Sequence, residues 1–464
     1  MQTHFLIDAA YRKVIGLLEA EDETMSIDGT LIERMRSLAY LLWRRGREHS
    51  LLRNSISIIG TGIVTSVLGY FFWILAAHLY SAYNVGLGAA LISAMTLAAI
   101  CANLGVGSAL IQTLPLRKAG FEWSLTLNAG LTVVTMASLL SGTITLIALP
   151  LVSKQFAIVA HRLDYAIFFL AGVLLIALSN VLDQVFVAER AAQNMLVRNA
   201  GVSAMKIPLL ALPALAGVGV GALAVFGSGV LAMAVALLGG MLLLLPRLRR
   251  AYRFFIGRSI VGQIRAMLSS LTGNYFINLG GLAMAYLLPV VVSIRLSPTD
   301  NAYYYTTTSV SSFILMGAAA VSTSLFAEGS HAAENLPQKL RSSVRIIALM
   351  LTPEIVICLL AGRYILSVFG ASYAQHGLLL LRIDAFSAIP DAITSVYVSV
   401  LRVQRRLHIA ALLNLSTTAI TVALSWILLP EIGIAGQGVA YLIAAGAGSL
   451  VAGADYLLYL RRQR

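Results

Sequence analysis

The chain has 464 residues, of which 59% are apolar or aromatic and only 11% are charged, with a net charge of +13. Ordinary soluble domains carry about 25% charged residues, so a soluble multidomain enzyme is excluded. The charges also cluster: 54–116, 207–246, 266–294, 301–327, 407–430 and 432–454 contain no Asp, Glu, Lys or Arg. Each stretch can cross a bilayer, which takes about 20 apolar residues. A mean hydropathy of +0.85 without short alternating segments predicts helices rather than a barrel.

Residues 1–50 carry mixed charge and no apolar core of signal-peptide type. Thr30 and Glu33 have capping-box spacing, and Leu31, Met35, Leu38 and Leu42 recur at helical intervals, which predicts an amphipathic helix at the inner surface. Twelve spans follow, at 55–79, 84–112, 123–150, 165–187, 199–217, 220–245, 268–294, 303–326, 343–362, 377–400, 408–429 and 433–459. With the N-terminus inside, 27 of the 33 Lys and Arg fall on inner segments, Arg190 and Arg198 among them. Only Lys154, Arg162, Arg295 and Arg363 fall outside, which predicts both termini cytoplasmic. This basic pattern is that of a membrane protein, and no nucleic-acid partner is expected.

The longest inner loop contains Arg247, Arg249, Arg250, Arg253, Arg258 and Arg265. It divides the chain into an extension (1–50), a first six-helix bundle (51–246), a linker (247–267) and a second six-helix bundle (268–464). The fold class is therefore an all-α polytopic membrane protein with about twelve helices. His78-Leu-Tyr-Ser81 with Asn84 is similar to Arg295-Leu-Ser-Pro298 with Asn301, an offset of 217 residues that fits a duplicated unit. Two halves around a cleft describe an alternating-access transporter better than a channel.

No P-loop, HExxH or GxSxG signature is present, and no enzyme is expected. Cys101 and Cys358 both lie in spans, so neither a disulfide framework nor a metal site or cofactor is expected. Attention falls on ionisable residues inside spans, which cost about 2.5–3.5 kcal/mol each to insert and mark cavities by default. They are Asp183, Lys206, Glu354, Arg382, Asp384, Asp391 and Asp455. Asp183 and Lys206 are placed near the inner ends of spans four and five, and Asp455 near that of span twelve, where snorkelling or pairing would serve as well.

Span ten is the most polar. Asp384, Ser387 and Asp391 are spaced i, i+3, i+7 on one stripe that should face inward. Counting from the span's outer end at 377, Arg382 is roughly 8 Å deep and Asp391 roughly 20 Å. Pro353-Glu354 and Pro390-Asp391 occur in adjacent spans at similar depth. Each proline frees a backbone carbonyl that a protonated carboxyl can bond and an ionised one cannot, which makes Asp391, with Glu354 as its expected neighbour, the coupling or gating candidate. Asp384 and Asp183 complete that set. Asn274 and Asn278 in span seven share a helical face suited to sugar or interhelical hydrogen bonds.

Leu52-Arg-Asn-Ser55, Ser81-Ala-Tyr-Asn-Val-Gly-Leu-Gly88 and Asn103-Leu-Gly-Val-Gly107 resemble polysaccharide-unit flippases of the Wzx type. So do Phe369-Gly-Ala-Ser-Tyr373, Leu379-Leu-Leu-Arg382 and Gly433-Ile-Ala-Gly436 in the second half. These flippases belong to the multidrug/oligosaccharidyl-lipid/polysaccharide exporter superfamily. The resemblance, over roughly 51–460, implies transfer of a polyprenyl-pyrophosphate oligosaccharide across the inner membrane through a cationic cavity. Arg382 or Lys206 would then meet the pyrophosphate, membrane lipids would be partners, and a polysaccharide polymerase or glycosyltransferases would act alongside. A cation-coupled multidrug extruder of the same superfamily and a non-transporting assembly scaffold are the competing readings. Arg382 within a span argues against a cavity built for cationic drugs.

Overall fold

The structure, a computed structural model, describes residues 50–118, 120–254, 263, 272–331, 336–404 and 406–463. The amphipathic helix expected near Leu31–Leu42 and most of the linker from 255 onward lie outside the described residues. Twelve long helices follow one another: α1 (Ser50–Leu79), α2 (Ala82–Asn103), α3 (Phe121–Val152), α4 (Leu163–Ala188), α5 (Ala192–Leu215) and α6 (Ala222–Leu248) come first. Then come α7 (Thr272–Arg295), α8 (Pro298–His331), α9 (Leu336–Ser367), α10 (Ala371–Val403), α11 (Leu407–Ile432) and α12 (Ala435–Gln463). Among the described residues there is no strand, and ten of these helices are long and apolar enough to cross a membrane. The protein is an all-α, multi-pass membrane protein, as its charge-free stretches require.

Helix starts are set by local chemistry. Ser81 caps α2 by accepting from the Asn84 amide at 3.4 Å, and Ser297 caps α8 by accepting from the Asp300 amide at 3.1 Å. The second span is broken: α2 ends at Asn103, Leu104 and Gly105 turn left-handed, and a short helix resumes at Val106–Thr113. α5 starts at Ala192 and α10 at Ala371, seven and six residues earlier than the apolar pattern places them. Both extensions begin in residues too polar for a hydropathy window to include.

The first half is held by an apolar core of Leu91 and Met95 (α2), Trp123 and Leu127 (α3), Phe169, Val173 and Val181 (α4) and Phe226 (α6). A second core centres on α10, where Leu380, Ala385 and Ala388 pack with Ala302 and Tyr304 of α8 and with Phe72, Trp73 and Ala76 of α1. This core draws on both halves. It joins them at the end bearing the 80–81 and 296–297 connections, called the outer end here after the charge bias.

α2 and α8 approach each other closely. A Cβ at Gly86 would lie 1.6 Å from the Pro298 carbonyl oxygen and 2.8 Å from the Ala302 nitrogen, so only glycine fits. Asn301, completely buried, donates from Nδ2 to the Gly86 carbonyl at 2.8 Å. Nearby, Gln155 Nε2 donates to the Leu296 carbonyl at 3.2 Å, and Trp73 packs on Tyr305 with ring centroids 4.7 Å apart. The two halves are therefore closed upon one another at the outer end.

Candidate functional site

Below that closure, α1 and α8 face each other across the seam between the halves. On α1, Thr61 Oγ1 donates to the Ser57 carbonyl and Thr65 Oγ1 to the Thr61 carbonyl, each at 2.7 Å, which satisfies hydroxyl protons within the helix. One turn further, Ser66, Gly69, Tyr70 and Trp73 line a cavity of about 170 Å³ with Ser309 and Ser312 of α8 and with Phe369. Tyr70 also lines a second, apolar cavity of about 410 Å³, formed with Val67, Phe71, Val310, Glu354, Ile357 and Cys358. Val67, Phe71 and Ile357 are exposed, so this cavity opens sideways toward the bilayer between α1 and α9. Glu354 points into it, with Oε2 buried and without a hydrogen-bond partner.

The inward stripe of α10 forms as its spacing requires. Ser387 is completely buried, Asp384 Oδ2 accepts from Ser311 Oγ of α8 at 2.8 Å, and Asp391 Oδ1 accepts from Tyr441 Oη of α12 at 2.5 Å. Asp391 opens onto a polar cavity of about 320 Å³ shared with Ser395, Ser399, Arg402, Asn414 and Thr417. Glu354 and Asp391 line different cavities with no residue in common, although Thr352 and Ile355 beside the one and Ile389 and Ala392 beside the other share a third cavity. They sit on faces of α9 and α10 that look toward α1 and α12 respectively.

Arg382 lies elsewhere. It is exposed, on a stripe with Leu379, Phe386, Ile389 and Ile393, which are each about half exposed. Large apolar side chains exposed along a span face lipid, so Arg382 faces the membrane and not the seam. The sequence holds this signal: at 100° per residue Arg382 is roughly 200° from Asp384, away from the polar stripe. Because α10 begins at Ala371, Arg382 is also about 16 Å and Asp391 about 30 Å from the helix start.

In the first half Lys206 lies fourteen residues into α5, about 21 Å from its inner end, deeper than a position near that end. Its Nζ stands 4.7 Å from the centre of the Phe72 ring of α1, and no acid pairs with it among the described residues. Asp183 is bound instead by Arg198 Nη2 at 2.7 Å and by Asn199 Nδ2 at 2.9 Å.

Arg198, read from sequence as a loop cation, is buried six residues into α5. Its Nε and Nη1 have no partner, and it abuts Gly240, where α6 widens into a π turn over Gly240–Leu244. A Cβ at Gly240 would come within 2.7 Å of Leu182 and 3.2 Å of the Arg198 side chain. Only the true start of α5 would have disclosed this residue. Asp455 is paired with Arg406 at 2.9 Å and accepts a hydrogen bond from Tyr397. The side chains of Asn274 and Asn278 lie outside the described residues.

The start of the linker is fastened to the first half. Arg249 pairs with Glu189 at 2.5 Å, Trp123 Nε1 donates to the same carboxylate at 2.7 Å, and Tyr252 Oη donates to Asn128 Oδ1 at 3.0 Å. Outside the spans, burial pushes the Tyr252 phenol up to about 12.

No family profile and no curated protein matches this sequence. Solved structures do. An inward-facing multidrug resistance MATE family transporter of the MOP superfamily aligns over 86% of this chain and 98% of its own, with a TM-score of 0.64 and 17% identity. The lipid II flippase MurJ in an inward closed conformation aligns over 86% of both chains, with a TM-score of 0.69 and 12% identity. An outward-facing MATE transporter aligns over 89% of this chain and 97% of its own, with a TM-score of 0.57 and 18% identity. The chain has the fold of these transporters.

Proposed function

We propose that the protein is a flippase or exporter that moves a lipid-linked oligosaccharide, or another polysaccharide precursor, across the cytoplasmic membrane by alternating access. The observation that carries this reading is the pair of cavities meeting at Tyr70. A small hydroxyl- and aromatic-lined chamber lies between the halves, and beside it an apolar chamber opens sideways to the bilayer. A substrate with a polar head and a chain that stays in the membrane needs both. A water-borne solute needs only the first.

In this reading the head group occupies the seam, with Lys206 as the cation that meets a pyrophosphate and Asn274 and Asn278 as sugar contacts. The halves then rock about the contact of α2 with α8, and the Gly86–Asn301 closure opens outward. Asp391 carries the ion coupling, since its hydroxyl partner and the polar cavity beside it can take a proton or a cation without leaving a charge unpaired. Asp384 and Glu354 act as gating carboxylates. Asp183, neutralised by Arg198, holds the inner ends of α4 and α5 in register.

Glu354 supports a second reading, cation-coupled multidrug export. Its unpartnered carboxylate oxygen lies in an apolar chamber with Tyr70 and Phe71, which suits an organic cation. Proteoliposome assays separate the two. The flippase reading expects transfer of a fluorescent lipid-linked oligosaccharide between leaflets, lost in Lys206→Ala. Gradient-driven uptake of organic cations without lipid transfer overturns it.

A further inference from the structure

We propose that the groove between α9, α10 and α12 binds an anionic diacyl phospholipid of the inner leaflet, with Arg341 and Arg345 holding the phosphate and an acyl chain lying in the groove. The site does not depend on what the protein transports.

The groove is the cavity shared by Thr352, Ile355, Ile389 and Ala392, about 470 Å³ in volume. α9 and α12 each pack on α10, which forms the floor with Ala392, Val396 and Val400. Leu351 and Ile355 of α9 stand on one side, and Ala452 and Gly453 of α12 on the other. Val344, Ile389 and Ile393 along it are each about half exposed, so the groove opens to lipid.

The two arginines stand at its inner end. Leu340 and Val344, the residues just before them, line the groove, as do Ala348 and Thr352 further along α9. At 100° per residue the lining residues of α9, from Ile347 round to Thr352, sweep an arc of about 140°. Arg341 falls inside that arc, and Arg345 within about 20° of its edge. Both are exposed, and neither has an acidic partner among the described residues. The Asp455 carboxylate, two residues past Gly453 on α12, is taken by Arg406 and Tyr397. Guanidinium groups in that setting are complemented by an anion, and their forks suit phosphate oxygens. Beside an apolar groove at the inner face, that anion is a lipid headgroup.

Length selects the lipid. Arg363 marks the outer end of the α9 span, and Arg345 and Arg341 precede it by about 27 Å and 33 Å of helix. Those distances bracket a hydrocarbon core of about 30 Å, which puts both arginines at the inner headgroup boundary. From there the groove runs about 15 Å along α9, from Arg345 to Ile355, and about 17 Å along α10, from Val400 to Ile389. One leaflet is about 15 Å deep. An ordinary acyl chain hung from a phosphate at Arg345 therefore ends where the groove ends.

The test titrates the full chain in detergent with phosphatidylglycerol and with phosphatidylcholine of the same acyl chains, read by native mass spectrometry. The expected result is phosphatidylglycerol binding about tenfold tighter than phosphatidylcholine. Replacing both arginines, Arg341→Ala with Arg345→Ala, should bring the two lipids level, and the paired lysine variants should keep part of the preference. Gly453→Trp should weaken both lipids, because a Cβ there meets nothing within 4 Å and the ring can fill the groove. On the unmodified chain, phosphatidylglycerol with a photoactivatable group near its chain end should label Ile355 or Ile389, a readout independent of variant folding. Equal binding of the two lipids by the parent, or a preference that survives loss of both arginines, overturns the site. Labelling confined to α1 and α8 overturns it as well.

Discussion

Asp183 in the first half and Asp391 in the second are both interior carboxylates on membrane-spanning helices, yet their partners differ in kind. Asp183 is held by a guanidinium and an amide, and Glu189 nearby by Arg249 and Trp123. Asp384 and Asp391 are held by hydroxyls, those of Ser311 and Tyr441. A carboxylate locked to an arginine is neutral as a pair, and losing either member strands the other charge. A carboxylate held by a hydroxyl keeps its freedom to take up a proton or a cation. The first half is built to stay assembled, and the second holds the groups that can change state.

The largest break in that comparison should come from Arg198→Ala. Removing one member of a buried pair costs about 3–5 kcal/mol, so detergent-solubilised protein should unfold at a markedly lower temperature. Adding Asp183→Asn should return much of the loss. An alanine variant as stable as the parent would mean that the pair does not hold α4 to α5.

The halves also use their repeated asparagines differently, which Gly86→Val and Asn301→Ala sharpen. Asn84 lies beside Gly221 in its own half, whereas Asn301 crosses to the other. Overpacking at Gly86 should cost the outer-closed state about 1–3 kcal/mol, and loss of the Asn301 amide a similar amount. That is roughly a tenfold shift toward an open outer end. Labelling by an impermeant thiol reagent at a cysteine replacing Ser81, with Cys101 and Cys358 changed to serine, reads it. Asn84→Ala should leave labelling unchanged, and equal effects of Asn84→Ala and Asn301→Ala would erase the distinction.

Smaller in stability but decisive for function is Asp391→Asn. It keeps the shape and the Tyr441 partner, so thermal unfolding should move by no more than about 1 kcal/mol equivalent. Transport should lose its dependence on pH or on the driving ion across pH 5.5–8.5. Unchanged dependence would make Asp391 a packing residue.

The smallest effect belongs to Arg406→Ala. Arg406 and Asp455 are 33% and 35% exposed, and such pairs contribute about 0–1 kcal/mol. A loss as large as that of Arg198→Ala would show that the inner end of the second half is as tightly held as that of the first.

Much of the candidate site is legible in the sequence. The i, i+3, i+7 spacing of Asp384, Ser387 and Asp391 gives an inward stripe, because one face of a central span must avoid lipid. The depth of Arg382 is legible only if α10 begins at 377; its start at Ala371, in the polar Ser372-Tyr-Ala-Gln375 segment, shifts every depth along the helix. Arg198 is hidden from sequence for the same reason at α5. Partners such as Ser311 and Tyr441, 73 and 50 residues away, leave no local trace.

The chain alone determined the all-α, many-span character and the approximate position of its apolar segments, because a bilayer core admits no unpaired backbone. It also determined which face of α10 looks inward, since helical period fixes angle. Tertiary structure decided which charge meets which, that Gly86 touches Pro298, and that Glu354 and Asp391 face separate cavities. Those outcomes depend on how helices distant in sequence cross, and crossing is set by side-chain shape over whole interfaces rather than by any local pattern.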